Sequence, residues 1–257
     1  MKKEKLIIRS GLFLALLLFT FSCSDFEEVN IDPTAANVDQ VQVEYFINAS
    51  IGGAQQNPHI AERIFVLYWK DAGRMDRIGT LSEGSVSDGW TSDYYNSYVS
   101  RWIRDINSGI AVADEKIAEG NIKEYTGNLK QVARIWRAYL MSEISDNFGP
   151  VPINGFQGIN PAYDNVKDVY YYMLAELKEA TEALDLSVEN PNNLKDLDPA
   201  YGYDYAKWKK YGNSLRMRLA MRLSEVDHSK AQQEFEDAVS DGYIATSDEN
   251  FKIKEVP

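Results

Sequence analysis

The chain of 257 residues carries 39 acidic against 27 basic side chains, a formal charge of −12. A surface of that sign excludes the phosphate neutralisation on which nucleic-acid binding depends. The length is ample for one or two packed domains, and aromatics make up 12% of it, with 16 tyrosines and 5 tryptophans; such rings either fill helix–helix contacts or stack on sugar faces with their polar ends wet.

The first predicted element is a secretory signal over residues 1–22. Lys2, Lys3, Lys5 and Arg9 form a basic start, an apolar run follows from Leu12 to Phe19, and Thr20, Phe21 and Ser22 lead to Cys23. The run is shorter than the ~20 apolar residues a spanning helix needs, which disfavours an uncleaved anchor. Cys23 is the sole cysteine, so it has no internal disulfide partner. At the +1 position of a cleaved signal it carries lipid, and the membrane is then reached only through acyl chains. Thr20 and Ser22 stand at −3 and −1, where the usual lipoprotein box has Leu and Ala or Gly. Removing residues 1–22, whose four cations oppose Glu4 alone for a net +3, leaves the mature chain near −15.

Residues 23–40 read as an acidic tether. Ser24-Asp25-Phe26-Glu27-Glu28 resembles the surface-export signal that follows the lipidated cysteine in Bacteroidota lipoproteins; a plain solvated tether fits the same residues. From 41 to 257 the pattern is helical throughout, with almost no strand alternation. Helices are expected over 41–49, 60–72, 92–120, from Leu129 to the Asp146-Asn147-Phe148-Gly149-Pro150 stop, 166–186, 205–224 and 229–239. Residues 79–90 and 186–205 read as loops. Apolar stripes at three and four include Tyr95, Tyr98, Trp102 and Ile106 in one helix, and Leu129, Val132, Trp136 and Ile144 in another. Ser229 is the expected cap of the last helix. Val151-Pro152-Ile153 is expected to be extended, since Pro150 cannot continue a helix. The fold class is all-α. Connected helix pairs suggest a helical-repeat scaffold, although no fixed period is visible.

Two stretches are more specific than composition. One is Asp146-Asn147-Phe148-Gly149-Pro150-Val151-Pro152-Ile153, followed by Asn160-Pro161-Ala162-Tyr163-Asp164. The other runs Lys207-Trp208-Lys209-Lys210-Tyr211-Gly212-Asn213-Ser214-Leu215-Arg216-Met217-Arg218-Leu219-Ala220-Met221-Arg222-Leu223. Together they resemble the SusD/RagB-like outer-membrane lipoproteins, in which a helix runs into a Tyr/Phe-Gly-x-x-Pro turn and a Pro-x-Tyr-Asp segment leads into the next helix. The resemblance implies tetratricopeptide-like helix pairs and a non-catalytic role at the cell surface, the capture of a nutrient, often a glycan and sometimes a peptide. It also implies a partner, a SusC-like TonB-dependent transporter over which the lipoprotein sits. Members of that family are commonly much longer, so the chain reads as an amino-terminal half of one.

Within the second stretch, Arg218 and Arg222 share a helix face and are expected to hold carboxylates or carbonyls between layers; anion binding is the functional alternative. Asn213 at mid-helix is expected to make a structural hydrogen bond. The ligand site is sought in Asp88-Gly89-Trp90-Thr91-Ser92-Asp93-Tyr94-Tyr95-Asn96, a loop-to-helix junction of rings and short polar groups suited to a sugar. Trp90, Tyr94, Tyr95 and Asn96 are its candidate residues. Because Tyr95 falls on the buried stripe, Trp90 and Tyr94 are the rings expected to be exposed.

Rival readings are a scaffold that binds no ligand and an α/α-type glycosidase. For the latter, Glu143 and Asp146 are the nearest thing to a carboxylate pair, but capping or solvated roles explain both. His59 and His228 lack metal-ligand spacing, and no nucleophile elbow or phosphate loop occurs. The Asn/Asp-rich stretch 190–198 resembles a calcium loop without the turn glycine. The expectation is therefore no enzyme, no cofactor and no metal.

Overall fold

The computed structural model describes residues 40–54, 65, 69, 70, 73, 75, 88–155 and 162–253. The signal, Cys23, nearly all of the tether, most of the expected helix 60–72, and Asn160-Pro161 lie outside the described residues. Contacts divide the chain into two units, Met1–Val41 and Gln42–Pro257, and the fold is that of the second.

The described residues form seven α-helices: α1 (Val43–Gly53), α2 (Asp88–Ser97), α3 (Arg104–Glu119), α4 (Thr126–Phe148), α5 (Val166–Glu182), α6 (Tyr205–Arg222) and α7 (His228–Ser240). A π-helical segment, Tyr98–Ile103, joins α2 to α3, and 3-10 turns occupy Asn192–Leu197 and Ser247–Glu249. From α3 onward each helix packs on the next, α3 on α4, α4 on α5, α5 on α6 and α6 on α7, with α1 laid against α3. This is the all-α class expected from the periodicity, with the tetratricopeptide-like stacking of helix pairs that the family resemblance implies. Val151 and Asp164 form an antiparallel bridge, so the chain is extended directly after Pro150 as expected, but it enters a turn at Ile153.

Local chemistry sets the helix ends. Asn165, Asp204 and Asp227 cap α5, α6 and α7, each accepting from the backbone N–H three residues on. The last of these corrects the expectation for Ser229: a carboxylate two residues earlier takes the capping position, and α7 starts at His228. Gly149 ends α4 with φ 84, a conformation open to glycine, before Pro150 blocks continuation.

The centre of the core is α4, which meets α1, α3, α5 and α6. Its expected stripe is buried, and so are Ile135, Ala138 and Met141 on its other sides, because helices flank it on both faces. Trp136 donates its indole N–H to Ser50 at 3.0 Å, and Ser50 donates to the Trp102 carbonyl at 2.9 Å. That bond ties the π-helical segment, whose widened turns disturb the usual ladder, to α1. Phe251, from the segment after α7, stacks on Trp136 (5.5 Å, 12°) and Tyr211 (4.7 Å, 30°) and meets Tyr201 and Trp208 edge-on. The carboxy-terminal described segment is thereby fastened across α6.

Close approach explains Gly212. A Cβ there would lie 2.5 Å from Thr181 Cγ2 and 3.3 Å from Ile135 Cδ1. Thr181 is fixed by its hydroxyl on the Leu177 carbonyl at 2.8 Å. We expect Gly212→Ala to destabilise the fold by about 1–2 kcal/mol, because overpacking exceeds the helix-propensity gain. Thermal unfolding checks this, and a raised Tm would refute the packing assignment.

The arginine pair behaves as expected: Arg218 meets Glu143 at 3.6 Å and Arg222 meets Asp146 at 3.1 Å, bridging α6 to α4. Asn213 donates to the carbonyls of Gly242 (2.8 Å) and Asp241 (3.3 Å), holding the chain just beyond α7. The motif residue not anticipated is Arg216. Its side chain is fully buried between Glu234, Asp237 and Asp241.

Candidate functional site

The helix carrying the candidate site begins at Asp88, four residues before its expected start, so Trp90 sits in its first turn. Tyr94 is fully buried, which corrects the expectation that its ring is exposed. Steps of three and four placed Tyr95 inside, but the adjoining π-helical turns are wider than four residues. A strict four-residue step therefore stays on the inner face, and Tyr94, Tyr98 and Trp102 line up there. Tyr94 packs on Tyr98 (4.9 Å between centroids) and Phe148 (6.1 Å). Tyr95 moves to a half-buried position, Trp90 is half-buried and Asn96 is exposed.

Around Tyr95 the structure gathers residues that sequence reading left apart. Its ring meets Phe148 edge-on at 5.2 Å, and its hydroxyl lies 3.2 Å from that of Tyr163. Tyr163 is 62% exposed. It belongs to the Pro-x-Tyr-Asp segment, whose Asp164 is turned to structure: its N–H donates to the Val151 carbonyl at 3.1 Å, and its carboxylate accepts from Ile153 N at 2.7 Å. The motif thus divides the labour, with the acid pinning the extended segment and the tyrosine displayed beside α2. On the neighbouring side Trp69, 39% exposed, donates its indole N–H to Asn147 Oδ1 at 2.8 Å. Asn147 donates in turn to the Glu143 carbonyl at 2.7 Å, which fixes the amide.

At the carboxyl end of α4, then, the tyrosine pair Tyr95–Tyr163 rests on Phe148 and Trp69 is held by the adjacent residue, Asn147, while exposed Asn96 follows Tyr95 on α2. The Tyr95–Tyr163 bond uses one hydroxyl hydrogen, so the pair retains one donor and spare lone pairs. Partial burial, and then the bond to Tyr163, push the Tyr95 hydroxyl up to about 12. It is a neutral hydroxyl at any physiological pH. Such a tyrosine platform supplies apolar faces and directional hydroxyl partners without charge.

The residues weighed for hydrolysis have other duties. Glu143 and Asp146 are held by Arg218 and Arg222, and burial, only partly offset by Arg218, raises the Glu143 carboxyl above its ordinary value. His228 opens α7. Asp198, from the stretch compared with a calcium loop, is 2% exposed and takes bonds from Ala200 N, Tyr203 N and the Trp208 indole. Among the described residues no group of three or more His, Cys, Asp or Glu side chains is placed to hold a metal, and no helix is long and apolar enough to cross a membrane.

Residues 39–257 match the family model described as SusD-like, SusD and RagB outer membrane lipoprotein. A search of curated proteins finds no match. Among solved structures, a SusD homologue from Parabacteroides distasonis superposes with a TM-score of 0.71 at 28% identity, over 82% of this chain and 41% of its own. A chitin-binding protein matches with a TM-score of 0.70 at 21% identity, over 82% and 45%. A SusD homologue from Bacteroides uniformis gives 0.67 at 22%, over 87% and 46%. The chain therefore spans less than half the length of these solved relatives.

Proposed function

We propose, since this chain belongs to the SusD-like family of outer membrane lipoproteins, that it captures a nutrient at the cell surface and that the nutrient is a glycan. The observation that carries the glycan is the paired, exposed hydroxyls of Tyr95 and Tyr163 at 3.2 Å, with the Tyr95 ring packed on Phe148. Sugar rings have an apolar C–H face and a hydroxyl rim, and such a platform meets both. A chitin-binding protein among the structural relatives agrees in ligand class. Cys23 would be the lipid anchor, residues 23–40 the tether that lifts the domain from the membrane, and a SusC-like TonB-dependent transporter the partner that receives the ligand. The role is binding without catalysis.

Tyr95 and Tyr163, with Trp69 and Asn147 at the same end of α4, are the residues assigned to the ligand, and Trp90 and Asn96 are its further candidates on the helix of Tyr95; Tyr94 supports them from the core. We expect Tyr95→Ala with Tyr163→Ala to abolish retention on glycan affinity gels while far-ultraviolet circular dichroism is unchanged. Each exposed ring is worth about 1–2 kcal/mol of contact, so the pair costs at least tenfold in affinity. Retention should be flat between pH 5 and 9, because the Tyr95 hydroxyl titrates only near 12. Unaltered retention by the double variant would reject the platform and leave the scaffold reading.

A further inference from the structure

A second cleft lies where the first turns of α5 meet the last turns of α4 and α6 and Asp227, the cap of α7. It encloses about 430 Å³. Val166, Leu223 and Val226 form an apolar wall, of which Val226 is 79% exposed. The polar side is held rigid: buried Tyr170 donates its hydroxyl to Asp146 and accepts from Arg222 Nε at 2.8 Å. Arg222 Nη2 also meets Asp146 Oδ1 at 3.1 Å. These contacts engage two of the five guanidinium N–H groups and one carboxylate oxygen. Opposite them, Tyr171 donates to Asp227, and its ring carries Lys167 at 5.2 Å and Lys230 at 5.5 Å.

Charge and pattern select the ligand. The lining cations Lys167 and Arg222 are matched by Asp146 and Asp227, so an ionic ligand gains no net attraction there. The chain's charge of −12 further disfavours anions. A fixed arginine beside a fixed aspartate instead presents donor and acceptor side by side, which suits two adjacent hydroxyls, each able to give and to accept. The valine wall suits the C–H face of the same ring. Small-ligand sites begin near ~300 Å³, so this volume fits a sugar ring with its linkage rather than a long segment.

We propose that this cleft is a second site that takes a pyranose ring of a neutral glycan, an inference that rests on the glycan-capture reading above. The test is nuclear magnetic resonance of the full chain with labelled valine methyls. The probes are the methyl glycosides of glucose, galactose, mannose and N-acetylglucosamine, with sodium glucuronate as the charged comparison. At least one neutral glycoside should shift the Val166 and Val226 methyls, bind at least tenfold more weakly to Val226→Trp, which fills the cleft from an exposed position, and be unaffected by Tyr163→Ala. Glucuronate should bind at least tenfold more weakly than that glycoside. No methyl shift with any neutral probe, undiminished binding by Val226→Trp, or equal binding of glucuronate would overturn the site. Failure of the platform shows separately, as unchanged glycan retention in the Tyr95→Ala, Tyr163→Ala variant.

Discussion

Replacing Asp198 by alanine is expected to cost about 3–5 kcal/mol of unfolding free energy, the summed penalty of several buried donors left without an acceptor. Its carboxylate is 2% exposed. Oδ1 accepts from Ala200 N (2.9 Å) and Tyr201 N (3.3 Å), while Oδ2 accepts from Tyr203 N and Trp208 Nε1, both at 2.7 Å. These bonds hold Gly202 and Tyr203 at φ 62 and 55; for tyrosine that left-handed conformation costs about 1–2 kcal/mol. They also orient Trp208, which is fully buried on α6. The informative variant is Asp198→Asn. Both carboxylate oxygens face N–H donors, so whichever way the amide turns, its NH2 end meets donors rather than acceptors. Asp198→Asn should therefore unfold nearly as early as Asp198→Ala, about 10 °C below the parent chain at the usual few degrees per kcal/mol for this size. A near-parental Tm for the asparagine variant would show that the four bonds do not act as described.

Arg216→Met should produce a loss of similar size. The guanidinium is fully buried and lies 2.5 Å from Glu234, 3.3 Å from Asp237 and 3.7 Å from Asp241. Removing it leaves Glu234, 5% exposed, with Lys230 alone at 2.5 Å, and breaking a buried pair from one side costs about 3–5 kcal/mol. Arg216→Met combined with Glu234→Leu should recover most of the loss, because an apolar pair needs no desolvation of charge. Acid titration gives an independent reading. Burial alone pushes the Glu234 carboxyl up, but the hydrogen bonds from Lys230 and Arg216 outweigh it and hold the group below its ordinary value. Glu176 is lowered in the same way, against its burial, by Arg134 and Arg137. A carboxyl depressed in the folded state contributes stability that is complete above the unfolded value near ~4.3 and is lost as pH falls through the folded value. In Arg216→Met the depression of Glu234 shrinks, so less stability should be lost on acidification below the unfolded value than in the parent. The double variant, lacking the group, should lose that component. An acid limb unchanged in Arg216→Met would separate Glu234 from the arginine.

Much of the fold was legible because its signals are local. Apolar residues at three and four mark α4 and α6, Gly149 before Pro150 marks the end of α4, and the arginines at 218 and 222 share a face by spacing alone. Asn213 was readable as a bonded residue because an unbonded amide in mid-helix is unfavourable. The candidate site was legible only as a neighbourhood. Trp90, Tyr95 and Asn96 were singled out together with Tyr94, but Trp69, Asn147 and Tyr163 are joined to the site by pairings distant in sequence, 78 residues for Trp69–Asn147 and 68 for Tyr95–Tyr163. The exposed tyrosine of the Pro-x-Tyr-Asp segment was the available signal, since Asp164 bonds backward and leaves its neighbour outside.

By itself the sequence determined the all-α class, the helix stops and the family motifs, because periodicity, capping and proline sterics act within a few residues of chain. Tertiary structure alone decided that Tyr94 is core and Tyr95 half-buried, since a π-helical segment changes the register between the faces on its two sides and no local rule marks where such a segment falls. It decided too that Asp227 rather than Ser229 caps α7, that Arg216 is the buried arginine of its helix, and that Asp198 turns inward. In each case several equivalent polar groups compete along the chain, and the winner is the one that packing brings to a partner excluded from water.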